Sequence, residues 1–273
     1  MPRRSSQRRS RCWTSWTSTP DRACELQWQS WVDRIRTLNP GAPFMQPFQG
    51  VLLDVDGTLV DSNDAHADAW VHAFREHGFD ISFDAVRDRI GKGGDKMVIE
   101  LVALDEEDPT AKAIREARSK RFLEELAPKL RGFRQARKLI QRMKDDGLAV
   151  AVASSAESKE LDTLLAIAEV DDLIDDQTSS DDAENSKPDP DIVIAALQGI
   201  DLTAPQVVML GDTPYDVEAA TKAGVAVIAV RSGGWADEDL RGAIAVYDDV
   251  ADLLAHYDDS PLGTAARDTP SEA

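Results

Sequence analysis

From Gln49 onward, short apolar runs alternate with helical segments, and this alternation restricts the fold more than any other feature of the chain. Val51 to Val55, Leu148 to Ala153, Val207 to Leu210 and Val225 to Val230 are each short and apolar, the pattern of strands covered on both faces in a parallel sheet. Asp172 to Ile174 and Ala243 to Tyr247 are weaker strand candidates. Helical segments feed these strands: Arg134 to Asp146 stops at Gly147, and Asp216 to Ala223 stops at Gly224, where a left-handed cap residue is favoured. The succession predicts an α/β fold, a Rossmann-like parallel sheet flanked by helices.

Between Asn63 and Leu130 the pattern changes. Asp64 to His77, Asp84 to Ile90, Asp95 to Leu104 and Pro109 to Leu126 read as consecutive helices with no strand between them, so residues 63–130 are expected to form an inserted helical subdomain. The α/β core then comprises residues 48–62 and 131–257. Residues 258–273, rich in Ser, Pro, Gly and Thr, read as a disordered tail. Residues 1–47 read as a disordered or non-native extension, such as an upstream start codon produces. Their Arg and Ser content, with no acid before Asp21, also suits an organellar transit peptide, and Trp13, Trp16, Trp28 and Trp31 suit a short partner-binding helix.

Charge narrows the function. The formal net charge is -19, yet residues 1–47 hold eight arginines against Asp21, Glu25 and Asp33, which makes that segment +5 and the remainder -24. A body this acidic argues against nucleic acid or an anionic membrane as partner, because phosphate-backbone binding relies on clustered Lys and Arg. A small anionic substrate remains compatible, since a bound cation and one well-placed lysine dominate locally. The only cysteines, Cys12 and Cys24, lie in the extension, which fits a reducing cytoplasm. No stretch approaches the ~20 apolar residues of a spanning helix. The expected protein is a cytoplasmic monomer or weak homodimer.

The chemistry sits at the strand ends, where open α/β sheets bind ligands. Asp54 and Asp56 close the first strand two residues apart, so their side chains point the same way. Asp54 is the expected nucleophile, accepting a phosphoryl group as an acyl-phosphate. Asp56 is the expected acid/base, a role that calls for a raised pKa. Gly57 permits the turn and Thr58 hydrogen-bonds the nearby carboxylate; with Ser155 they complete the substrate side of the strand ends. Ser154 ends the second strand, where its hydroxyl and the Ser155 amide can bind phosphoryl oxygens, although Ser there also caps a helix well. Lys187, in Ser186-Lys187-Pro188-Asp189-Pro190, is stiffened by its prolines and can neutralise nucleophile and phosphoryl. Asp212 and Asp216, four apart at a strand-to-helix turn, suit a hard cation. Asp212 is the expected direct Mg²⁺ ligand, and Asp216 either ligates through water or braces Lys187.

These four segments, in this order from Phe48 to Leu254, resemble the haloacid dehalogenase (HAD) superfamily of phosphohydrolases. The resemblance implies Asp54 as nucleophile, Asp56 as acid/base and backbone-carbonyl ligand, Ser154 and Lys187 as phosphoryl-binding residues, and Asp54, Asp212 and Asp216 around Mg²⁺. It also implies that residues 63–130 are an α-helical cap that closes over the site and selects the substrate. Asp61-Ser62-Asn63-Asp64-Ala65-His66 resembles the branch containing β-phosphoglucomutase and sugar-phosphate phosphatases. His66 is expected either near the hinge and site or packed on an amphipathic helix. Gly91-Lys92-Gly93-Gly94-Asp95-Lys96 is expected to be the cap loop that reaches the core, its glycines allowing close approach and Lys92 or Lys96 meeting an anionic leaving group.

The expected activity is Mg²⁺-dependent hydrolysis of a small phosphorylated metabolite, such as a sugar phosphate or phosphoglycolate. Two alternatives stand beside it. A phosphomutase uses the same residues and returns the phosphoryl to the substrate, and an inactive binding protein keeps the fold without the chemistry.

Overall fold

A computed structural model describes residues 48–263. The expected extension over 1–47 and the last part of the expected tail, 264–273, lie outside the described residues. Six strands, β1 (Gly50–Leu53), β2 (Ala149–Ala153), β3 (Asp176–Thr178), β4 (Val207–Gly211), β5 (Ala226–Val230) and β6 (Ala245–Tyr247), form one parallel sheet in the order β3-β2-β1-β4-β5-β6. β1 lies at its centre, with Gly50 in register with Ala149 on one side and Val207 on the other.

Strand periodicity of two sends alternate side chains to opposite faces. Val51, Leu53, Val150, Val152, Val208 and Leu210 face one layer of helices, while Leu52, Ala151, Ala153, Val207 and Met209 face the other. In chain order the helices are α1 (Asn63–Glu76), α2 (Phe83–Arg87), α3 (Gly94–Val102), α4 (Pro109–Arg121), α5 (Ala136–Asp145), α6 (Ser158–Ala168), α7 (Asp191–Gly199), α8 (Pro214–Ala223) and α9 (Val250–Ala255). α5, α6 and α9 cover the first face through residues such as Leu139, Leu161 and Leu253; α7 and α8 cover the second through Ile192, Val193 and Ala220. Each fully buried Leu, Ile or Val contributes ~1.5–3 kcal/mol relative to leaving it in water. The two apolar layers therefore hold the strand ends in a fixed plane. This is the expected Rossmann-like sheet, and Gly147 and Gly224 take the expected left-handed φ of 82° and 77°.

The four helices α1 to α4 pack around a core of their own, with Trp70, Phe74, Val86, Met97 and Ile114 buried at its centre. After Arg121 the expected long helix loosens into a π turn over Phe122–Leu126, with Phe122 fully buried.

Two expectations are corrected. Asp172 to Ile174 is not a strand: Asp171–Leu173 forms a 3₁₀ turn, and the edge strand is Asp176–Thr178. The residues of that strand are polar, so no apolar run marks them, and pairing with Ala151–Ala153 alone makes them extended. Residues 258–263 are not a disordered tail. A 3₁₀ turn spans Tyr257–Asp259, Tyr257 is buried beneath the Arg142 guanidinium at 4.6 Å, and Leu262 is fully buried in the main core. One leucine anchors a stretch whose composition is otherwise that of a tail.

Candidate active site

The carboxyl end of β1 carries the centre of the site. Asp54 follows the strand directly, its amide donates to the Leu210 carbonyl of β4 at 2.9 Å, and its side chain is buried. Lys187 reaches it from the loop before α7. Its Nζ, with no solvent exposure, lies 2.6 Å from Asp54 Oδ1 and 2.8 Å from Asp216 Oδ1. Asp216 works with both oxygens: Oδ1 braces Lys187, and Oδ2 accepts from the Thr213 amide at 2.9 Å and hydroxyl at 2.7 Å, closing a capping box at the start of α8. Thr58 Oγ1 lies 3.2 Å from both Asp54 Oδ2 and Asp212 Oδ1, and Asn63 Nδ2 donates to Asp212 Oδ2 at 2.9 Å.

Gly57 shows how closely the pieces fit. Its φ is +74°, and a Cβ there would stand 2.1 Å from Asp212 Oδ2 and 2.2 Å from Asn63 Nδ2. Only a residue without a side chain lets the turn after β1 pass beneath Asp212. Gly233, after β5, is equally tight: a Cβ there would stand 2.0 Å from the same oxygen.

Asp54, Asp212 and Asp216 each offer a ligand atom within 4.8 Å of the others. Burial, only partly offset by Lys187, pushes the Asp54 carboxyl up to about 7. Burial together with the Asp54 and Asp216 charges pushes Asp212 well above the usual carboxylate range. For Lys187 burial works in the opposite direction, but Asp216 and Asp54 outweigh it and hold the ammonium charged. Three buried carboxylates with one ammonium leave a deficit of positive charge, and all-oxygen donors suit a hard divalent cation.

Asp56 lies beside this cluster and is held differently from the expectation of a raised pKa. Burial pushes in that direction, but hydrogen bonds from His66 and Ser62, with the charge of Arg118, outweigh it and hold the carboxyl below its ordinary value. His66 Nε2 lies 2.6 Å from Asp56 Oδ1 and Ser62 Oγ donates to the same oxygen at 2.5 Å. His66 thus touches Asp56 and also packs as a buried helical residue, its ring stacked 3.9 Å from Phe122.

Ser154, at the end of β2, is buried and its Oγ accepts from the Ala156 amide at 3.1 Å. Ser155 Oγ is buried with no hydrogen-bond partner among the described residues, a hydroxyl left for a ligand. The glycine loop does meet the core. The Gly93 amide donates to Ser186 Oγ at 3.1 Å, and Gly91 packs against Thr213. Lys92 and Lys96 are both paired: Lys92 Nζ lies 2.6 Å from Glu100 and 4.8 Å over the Tyr215 ring, and Lys96 Nζ lies 3.0 Å from Asp189. Tyr215 Oη donates to the Asp88 carbonyl at 2.5 Å and Arg87 Nη2 to the Gly233 carbonyl at 2.7 Å, so the helical insertion rests on the start of α8 and the turn after β5.

Sequence reasoning named Ser62 and Asn63 only as part of the Asp61–His66 run, without a role of their own, and passed over Arg118, Glu160, Ser232 and Gly233. A signal existed for the last two: Ser232-Gly233-Gly234 follows the apolar strand β5, and Ser232 Oγ donates to the Gly57 carbonyl at 2.6 Å.

No helix among the described residues is long and apolar enough to cross a membrane. Comparison with known proteins agrees with the geometry. A family profile described as haloacid dehalogenase-like hydrolase matches residues 51–230. A phosphoglycolate phosphatase of Rhodospirillum rubrum is 33% identical over 218 residues, covering 75% of this chain and 89% of that protein. A phosphorylated carbohydrates phosphatase of Thermotoga maritima is 25% identical over 180 residues, covering 65% of this chain and 82% of that protein. The crystal structure of a hydrolase from Pseudomonas syringae superposes with a TM-score of 0.72 at 27% identity, covering 77% of this chain and 98% of that one. With a sheet of the same kind, and a profile that runs from β1 through β5, the chain belongs to the haloacid dehalogenase-like hydrolase family.

Proposed function

We propose that the protein is a Mg²⁺-dependent phosphatase that hydrolyses a small phosphorylated metabolite, of the sugar phosphate or phosphoglycolate kind, through an aspartyl-phosphate on Asp54. The observation that carries this reading is the Asp54 carboxylate itself, held by buried Lys187 at 2.6 Å and set beside Asp212 by Thr58. The names of the Rhodospirillum and Thermotoga relatives point to the same substrate class.

In the first step an Asp54 oxygen bonds to phosphorus. The bond from phosphorus to the leaving oxygen breaks, its electron pair stays on that oxygen, and Asp56 supplies the proton. A phosphate dianion arriving beside Asp56 disfavours the carboxylate charge and raises its proton affinity, which prepares it as the acid despite its low starting value. In the second step water bonds to phosphorus and gives a proton to Asp56. The bond from phosphorus to Asp54 breaks, returning the carboxylate and inorganic phosphate. Lys187, the Ser154 hydroxyl, the Ser155 amide and the free Ser155 hydroxyl hold the phosphoryl oxygens in place. Asp54, Asp212, Asp216 and the Asp56 carbonyl would hold Mg²⁺, which supplies the positive charge that lets one anion approach another.

The insertion over 63–130 serves as the cap. Its glycine loop, Arg87 and Asp88 rest on the core around the cluster and shut bulk water from the nucleophile.

The test is to incubate the purified protein with Mg²⁺ and a panel of phosphorylated metabolites, following both phosphate release and isomer formation. Asp54→Asn is expected to abolish turnover on every substrate the wild type uses. Equal rates in the two proteins would refute Asp54 as nucleophile, and isomer formation without phosphate release would replace the phosphatase with a mutase.

A further inference from the structure

Asp56 stands at the end of a buried chain of polar contacts that crosses from the core into the insertion and back. His66, in α1, presents Nε2 to Asp56 Oδ1 and Nδ1 to Arg118 Nη2, each at 2.6 Å. A guanidinium only donates, so Nδ1 must be the acceptor. The ring proton of the neutral imidazole then sits on Nε2 and points at Asp56. Arg118, in α4, is held in turn by Glu160 in the first turn of α6. Arg118 Nη1 donates to Glu160 Oε1 at 2.6 Å and Oε2 at 2.5 Å, and Ser119 Oγ adds a third bond at 2.7 Å.

Glu160 has no solvent exposure, and Arg118 is mostly covered. Burying such a pair costs desolvation that its mutual attraction offsets only with good geometry, so it is weak as a device for stability alone. The pair instead fixes a direction. The Phe122 ring, stacked on His66 with an interplanar angle of 14°, prevents the imidazole from tilting, and Arg118 decides which nitrogen bears the proton.

At the other end of the chain, Ser62 and His66 both donate to Asp56 Oδ1. With that oxygen doubly engaged, Oδ2 is the one left to face a substrate.

We propose that Glu160 is a positioning residue for proton transfer at Asp56: by holding Arg118 against His66 Nδ1 it fixes the Nε2–H tautomer, which with Ser62 engages Oδ1 and reserves Oδ2 for the proton. The inference rests on the reading of Asp56 as acid/base. In the first step the Oδ2 proton passes to the leaving oxygen as its bond to phosphorus breaks, and in the second Oδ2 takes a proton from water.

The test uses the full chain with Mg²⁺ and three aryl esters of similar shape: phenyl, 4-nitrophenyl and 2,4-dinitrophenyl phosphate. They differ in how much the leaving oxygen needs a proton, least in the dinitrophenyl ester. kcat/KM reports the steps up to departure of that oxygen. In Glu160→Gln the expected kcat/KM on phenyl phosphate falls ~10- to 100-fold, within what general acid catalysis supplies, while on the dinitrophenyl ester it stays within ~3-fold. A fall by the same factor on all three esters would mean a merely structural role and overturn the proposal. Asp54→Asn loses all three alike, which separates loss of the nucleophile from loss of proton positioning. If the wild type cleaves none of them, the phosphatase reading falls and this inference with it. Should Glu160→Gln not fold, nitrogen-15 NMR of the wild type decides, with the His66 signals assigned by His66→Gln. A proton on Nε2 and none on Nδ1 supports the proposal, and the reverse overturns it.

Discussion

Replacing Lys187 by methionine, which keeps the length of the side chain and removes its charge, tests how the buried site is balanced. The ammonium lies within 2.8 Å of two carboxylates and has no solvent exposure, so Lys187→Met leaves Asp54 and Asp216 facing each other without a cation. Removing one partner of a buried pair costs about 3–5 kcal/mol. At ~2–4 °C per kcal/mol for a domain of this size, the melting temperature of the metal-free variant should drop by roughly 6–20 °C.

The loss should depend on pH, with a definite sign. Burial raises the folded-state pKa of Asp54 from 3.8 to about 7, so the stability from its neutral form is complete below the unfolded value and is lost as pH rises through the folded one. Lys187 is the chief influence opposing that rise, so without it the carboxyl titrates higher still. Through Asp54 both proteins lose stability together up to about pH 7, and above it only the variant goes on losing through this group. Melting followed by circular dichroism in EDTA should show a gap between the two proteins that is wider at about pH 8.5 than at about pH 6. A gap that stays constant or narrows would refute charge compensation of Asp54 by Lys187.

Two further perturbations test the surroundings of the site. Gly57→Ala forces a Cβ to within 2.1 Å of Asp212 Oδ2 at a φ of +74°. It should cost ~1–3 kcal/mol through strain alone, and it should also abolish the rise in melting temperature on adding Mg²⁺, which in the wild type reaches ~2.7 kcal/mol at a hundred times Kd. Calorimetric scans with and without the cation check both effects, and a preserved Mg²⁺ response would show that the Gly57 turn does not shape the metal site. Leu262→Ala removes a fully buried side chain from the main core and should lower stability by ~2–5 kcal/mol in urea titrations, with no change in KM. A neutral result would mean that residues 258–263 are not anchored.

The sheet was legible because strands covered on both faces must be apolar along their whole length, and because the chemistry stands at their ends. Asp54, Ser154 and Asp212 each announce themselves by following such a run, and Lys187 by its Ser-Lys-Pro-Asp-Pro frame. β3 was misplaced because Asp-Gln-Thr is a strand by pairing alone. Asn63, Arg118 and Glu160 were illegible for another reason. Each lies on a helix where a polar residue needs no explanation, and its partner is distant in the chain, 42 residues away for the Arg118–Glu160 pair and 149 for Asn63–Asp212. Only when the helices dock do these residues meet. Lys92 and Lys96 show the converse, since a lysine in a glycine loop looks available until the fold supplies Glu100 and Asp189.

The central position of β1 bears on how the chain matures. Asp54 finds its ammonium 133 residues downstream, and Thr58 finds Asp212 154 residues downstream. While the chain is being synthesised, β1 and its carboxylates are among the first parts of the α/β body to emerge, yet both neighbouring strands and the compensating lysine come much later. No amino-terminal fragment that stops short of Asp212 contains a complete site or a covered central strand. Contacts of such long range also slow folding, because the intervening loop must close before they form. A ribosome stalled anywhere in the insertion would therefore release a helical subdomain attached to one bare apolar strand, a species inclined to associate rather than to work.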